Sequence, residues 1–139
     1  LPGIVCSDSL DFNAGYAPDG KRFYFARSFM GKWQIYETIF DGKNWGTPSL
    51  AKFSEPQYSM ADPFITPDGS VYFISNRPKS ENDTLPDFDI WVVHPEENGQ
   101  WSAPENIQEV NSDSTEYYVS LAANGNLYFA SDRTTPHQK

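Results

Sequence analysis

The chain has 139 residues, and its 19 Asp and Glu outnumber its 10 Lys and Arg to give a formal charge of −9. Binding a phosphate backbone requires clustered cations, so nucleic acid is excluded as a partner. No apolar run approaches the roughly 20 residues of a membrane-spanning helix, and the single Cys6 rules out an internal disulfide.

In chain order, Leu1 to Val5 reads as an outer strand, and residues 1–10 belong to a preceding or closing unit. Ser7-Asp8-Ser9 before Asp11-Phe12 matches Ser112-Asp113-Ser114 before Glu116-Tyr117 at a fixed offset of 105 residues. The turn Ala17-Pro18-Asp19-Gly20 then precedes the strand Arg22 to Ala26. The same punctuation returns as Thr66-Pro67-Asp68-Gly69 before Val71 to Ser75, and as Ala123-Asn124-Gly125 before Leu127 to Ser131. Pro presets φ, Asp or Asn caps the turn, and Gly supplies the positive φ, so the turn chemistry is the same three times.

Other landmarks repeat as well. Ile35-Tyr36 matches Ile90-Trp91, and Lys43 to Pro48 matches Gly99 to Pro104. Trp45 lies 24 residues before Gly69, and Trp101 lies 24 before Gly125. The turn glycines are 49 and 56 residues apart, and the extra length falls between Asn76 and Asp89.

A period of about 40 to 50 residues carrying four short strands marks a β-propeller blade. The fold class is therefore all-β, a propeller of four-stranded antiparallel blades, with about three blades in this chain as part of a larger propeller. Blades run over about 11–60, 61–115 and 116–139, the last incomplete, within a single partial domain of residues 1–139. In the middle blade the strands are Asp62 to Thr66, Val71 to Ser75, Asp89 to Val93, and an outer strand around Trp101 to Val110. The second strands are apolar at nearly every position, as a sheet covered on both faces requires. Closure requires either further blades in a longer polypeptide or self-association.

The Pro-Asp-Gly turn, the following Tyr-Phe, the Ser-Asn-Arg or Ser-Asp-Arg, and Asp89-Ile90-Trp91-Val92 together resemble the WD40-like Pro-Asp-Gly propeller repeat of the TolB family. The resemblance covers almost the whole chain. It departs at Ala123-Asn124 in the third turn and at Ala26-Arg27-Ser28 in the first blade. It implies a bacterial protein, periplasmic or secreted. Similar repeats also precede some serine peptidase domains.

For chemistry, Cys6 aligns with Asn111 and reads as a small, half-buried residue, since a catalytic thiol needs a basic neighbour. Neither His94 nor His137 has a partner at metal-ligand spacing. No nucleophile elbow or phosphate loop is present. The loop Ser80 to Asp89 gathers Glu81, Asn82, Asp83, Asp87 and Asp89, which could ligate calcium, although a solvated loop uses the same residues. No other cofactor is implied.

Arg27, Arg77 and Arg133 recur after the second strands. They read as structural partners of Asp11, Asp62 and Glu116, or alternatively as grips for a ligand carboxylate. Aromatics reach 16%. Blade packing absorbs most of them, but Phe12, Phe29, Tyr58, Tyr117 and Tyr118 fall near strand ends around the channel mouth. The binding residues expected are thus Arg77, Asp89, Asp62, Tyr117, Tyr118 and Arg133, with no catalytic residue. The function this supports is a non-catalytic module that engages a protein or peptide. The alternatives are an oligosaccharide-binding or carbohydrate-active propeller, or a propeller accompanying a serine peptidase.

Overall fold

The computed structural model describes residues 5–134. Among them the chain is all-β, with one short 3-10 turn at Glu97–Gly99. The first sheet runs in sequence order through β1 (Asp11–Tyr16), β2 (Arg22–Phe29), β3 (Lys32–Ile39) and β4 (Ser49–Leu50). The second repeats that order with β5 (Met60–Ile65), β6 (Val71–Ser75), β7 (Asp89–Val93) and β8 (Glu105–Asn106). β9 (Glu116–Leu121) and β10 (Leu127–Ser131) form a third, two-stranded sheet. All pairings are antiparallel.

The three repeated turns share one closing hydrogen bond, although the first is a residue longer: the Ala17 amide donates to the carbonyl of Arg22, five residues on, where Thr66 and Ala122 donate to those of Ser70 and Asn126, four on. The amides of Gly20, Gly69 and Gly125 donate to the carbonyls of Ala17, Thr66 and Ala122, each at 2.9 Å. Within them, the Asp19, Asp68 and Asn124 side chains accept from the amides of Lys21, Ser70 and Asn126. Asn124 therefore does the work of the aspartate it replaces.

The β2–β3 hairpin turns on Met30 and Gly31, at φ of 50° and 80°, so β2 extends to Phe29 rather than ending at Ala26. That places Arg27 on the strand, where the other units have Ser75 and Ser131. In those units Asn76 and Asp132 instead cap the amides of Ser59 and Thr115.

The outer strands are shorter than the span Trp101 to Val110 suggests: β8 contains two residues. Pro104 lacks an amide to donate, Trp101 forms an isolated bridge with Pro95, and Val110 folds back onto Ile107 in a turn. The inner strand begins at Met60, two residues before Asp62, and it tolerates Pro63 because the ladder is broken there by a bulge. Of the expected outer strand Leu1 to Val5, residues 1–4 lie outside the described part, as does His137.

Two cores hold the sheets face to face. Tyr24, Ile35, Ala51 and Phe53 of the first unit pack on Met60, Val71, Phe73, Trp91 and Val93 of the second. On the opposite face of the second sheet, Ala61, Ile74 and Ile90 pack with Val119, flanked by Phe129 and Leu127. The second sheet is covered on both sides, so every residue of β7 is buried and its sequence is not alternating.

Candidate binding site at the strand bulges

The first strand of each unit carries a bulge at the same place. Register breaks after Phe12 in β1, after Ala61 in β5 and after Tyr117 in β9, each time with one residue more on the first strand than on its partner. The residue after the break takes a left-handed backbone in all three units: Asn13 at φ 43°, Asp62 at 55° and Tyr118 at 56°. Asn and Asp adopt that conformation readily, whereas Tyr pays on the order of 1 kcal/mol for it.

These three residues meet. β5 packs between β1 and β9, and the buried Asp62 carboxylate accepts from the side-chain amide of Asn13 through one oxygen. Through the other it accepts from the backbone amide of Tyr118 at 2.8 Å. A charge-assisted bond of this kind, worth about 1.5–3 kcal/mol, offsets the strain at Tyr118.

Beside Asp62 opens a cleft of about 660 Å³ whose walls include Phe12, Trp33, Phe88, Tyr117 and Tyr118. Trp33 is its hub, edge-on to Phe12 at 5.8 Å and tilted against Phe88 at 5.3 Å. Tyr117 and Tyr118 pack edge to face at 5.5 Å. Each of the three units contributes a wall, and a smaller cavity of about 280 Å³ lies beside Asp62 against Pro63 and Val119.

The structure thus brings Asp62, Tyr117 and Tyr118 together, with Phe12, and adds Trp33 and Phe88. Trp33 is the second residue of β3 and Phe88 ends the long loop. Neither belongs to a repeated motif, so only the hairpin register could have indicated them.

Arg77, Asp89 and Arg133 lie elsewhere, engaged with other partners. Arg27 Nε donates to Asp11 Oδ1 at 2.6 Å and its guanidinium lies over Phe25 and Tyr36. Arg133 donates to Glu116 Oε1 at 2.6 Å and lies over Phe129. Both also donate to a backbone carbonyl 105 residues apart, Val5 and Val110. The matching serines complete the network, Ser7 Oγ donating to Asp11 and Ser112 Oγ to Glu116.

In the middle unit, Met60 stands where Asp11 and Glu116 stand in the others. Asp62 is therefore not the partner of Arg77. The loop residue Glu55 supplies the charge at 2.7 Å, while Arg77 stacks over Trp91 at 4.7 Å. A carboxylate at position 60 would point into the core between the sheets, and Met fills that space instead.

The acidic loop is organised around Lys79. Its ammonium lies 3.3 Å from Asp89 and 3.6 Å from Asp87 and donates to the carbonyl of Ser112 at 2.8 Å. Among the described residues no three His, Cys, Asp or Glu side chains converge as a metal ligand set. Burial pushes the Asp89 carboxyl up to about 6, with the charges of Asp87 and Glu116 adding to the rise and Lys79 opposing it.

Cys6 is exposed, not half-buried. Its counterpart Asn111 bonds both backbone groups of Ile90 on β7, and among the described residues Cys6 has no such strand to face.

One polar contact has no sequence motif. Ser70 Oγ donates to Asp68 Oδ2 at 3.0 Å and lies 2.8 Å from His94 Nδ1, because the β6–β7 register pairs Val71 with Val93 and so sets their neighbours side by side. Ser70 is buried, and this contact fastens the turn to β7. No protein-family model matches the chain, and no curated protein matches it either.

Proposed function

We propose that the chain is a segment of a TolB-like β-propeller that serves as a non-catalytic binding module for a protein or peptide partner. Successive sheets of identical strand order, stacked face to face with β1, β5 and β9 adjacent, support the propeller reading. The observation that carries the binding reading is the cleft itself. Three units place equivalent bulge residues around a single buried carboxylate and wall it with aromatic rings, an arrangement that packing alone does not require. A bacterial envelope or secreted location fits this reading and follows from the repeat resemblance.

The oligosaccharide reading has its own support: Trp33 and Tyr118 present exposed rings, the surfaces on which sugar faces stack. A thermal-shift screen separates the two. Ligands that bind the folded state raise the melting temperature by mass action. Short peptides are expected to stabilise the wild type but not Tyr118→Ala, whose own fold is checked by circular dichroism. A shift with oligosaccharides alone would transfer the site to the second reading. Peptide stabilisation that persists undiminished in Tyr118→Ala would remove the cleft from the site.

A further inference from the structure

Among the described residues four carboxylate side chains are buried, and three of them have a base. Glu37, 4% exposed, lies 3.4 Å from Arg22; Asp89, 2% exposed, lies 3.3 Å from Lys79; and Glu116, 0% exposed, lies 2.6 Å from Arg133. Asp62, 7% exposed, has no Lys, Arg or His within 4.0 Å among the described residues. It is held by two neutral donors alone, the amide of Asn13 and the backbone N–H of Tyr118. An ionised carboxylate withdrawn from water without a counter-charge is costly, and a protein that pairs its other buried acids leaves this one open to a cleft. Two donors occupy two of about four acceptor positions on a carboxylate, so acceptor capacity remains.

The walls of the cleft favour the same kind of group. Trp, Tyr and Phe faces attract a cation within about 6 Å of the ring centroid, Trp most strongly. Trp33, Phe12, Phe88, Tyr117 and Tyr118 bring five such rings around Asp62. The net charge of −9 draws cations towards the whole surface. The cleft is wide enough for a side chain with its alkyl stem, which would lie along the rings while its charged end reaches the carboxylate.

We infer that this cleft receives the ammonium or guanidinium end of a lysine or arginine side chain from a partner peptide, with Asp62 as counter-ion and Trp33 as stacking surface. The inference rests on the binding-module reading and adds to it the charge and side-chain type that the site selects.

The test uses capped five-residue peptides that differ at one central position: lysine, arginine, norleucine or glutamate. Norleucine keeps the lysine stem without its charge. Each is titrated into the protein, with binding read from isotope-edited chemical shifts of the Trp33 indole and the Tyr118 amide. The lysine and arginine peptides should bind at least tenfold more tightly than the norleucine peptide and weaken as salt rises. Asp62→Asn should abolish that preference while leaving norleucine binding in place.

Asn is a suitable replacement because Asn13 already occupies the equivalent bulge at φ 43°. Trp33→Leu provides a second variant that leaves the Asp62 hydrogen bonds untouched, and it should weaken both cationic peptides severalfold. Equal affinity for lysine and norleucine peptides would overturn the inference, as would an unchanged lysine preference in Asp62→Asn. If the glutamate or norleucine peptide bound best while shifting the Tyr118 amide, the inference would fall and the binding-module reading would stand. If no peptide shifted either probe, both would fall.

Discussion

Asp89 stands at the head of β7 with its carboxyl pushed up to about 6 by burial, against an ordinary value of 3.8. A carboxyl that ionises higher in the folded state than in the unfolded chain binds its proton more tightly when folded. Its contribution to stability therefore grows as pH falls through 6 towards 3.8, and the ionised form costs stability above 6. Between pH 7 and pH 5 the wild type should gain about 1 kcal/mol over Asp89→Asn, at roughly 1.4 kcal/mol per pH unit. Urea titrations of both proteins at the two pH values read the difference, and parallel behaviour would refute it.

The recurring arginines should differ sharply from one another. Arg133→Met strips the base from the fully buried Glu116 and should cost about 3 kcal/mol. Arg77→Met leaves a partly exposed Glu55 that water can solvate, and the loss should stay near 1 kcal/mol, chiefly from the Trp91 stack. Equal losses in denaturant unfolding would contradict this ordering. These roles were half legible in the sequence. The recurrence of the arginines near acids at the start of the inner strands pointed to Arg27–Asp11 and Arg133–Glu116, but it also offered Asp62 to Arg77, and Met60 at the corresponding place hid the move of that acid to Glu55.

At the scale of elements, what could be read from the sequence is what local chemistry dictates. The turns follow from Pro, Asp and Gly, and β6, β7 and β10 fall on the residues expected because continuous apolar runs require covered sheets. The outer strands were overestimated because two ladder residues leave no periodic signal. The bulges were invisible because the left-handed position is filled by Asn13 and Asp62 in two units but by Tyr118 in the third, and Tyr carries no signal for that conformation. Gly69 gives the test of the turns. It sits at φ +89°, and an added Cβ would lie 3.4 Å from Pro95 Cγ. A β-branched side chain there meets both backbone strain and a crowded neighbour, so Gly69→Val should cost about 2 kcal/mol and lower the melting temperature by several degrees. An unchanged melting temperature would contradict the shared turn geometry.

Across the whole molecule, cover is uneven: the second sheet is packed on both faces, while β10 is half-buried and Tyr128 exposed. Amides of β6 and β7 should therefore exchange with solvent by the slowest openings and those of β10 much faster. Equal protection of β10 and β7 would mean that another surface covers β10 in solution. Of the site, Asp62, Tyr117, Tyr118 and Phe12 were within reach of the repeat alignment, since equivalent strand positions gather at one end of adjacent sheets. Trp33 and Phe88 were not, because they come from hairpin and loop ends that no repeat register links. The Asp62 carboxylate also has a mechanical meaning. Its two oxygens tie β5 to strands on either side, so one side chain links all three units in parallel with the apolar cores between them. Losing that one side chain would release both polar ties at once and leave the three units joined by apolar packing alone at this end, so a single residue sets the polar cross-linking of three units.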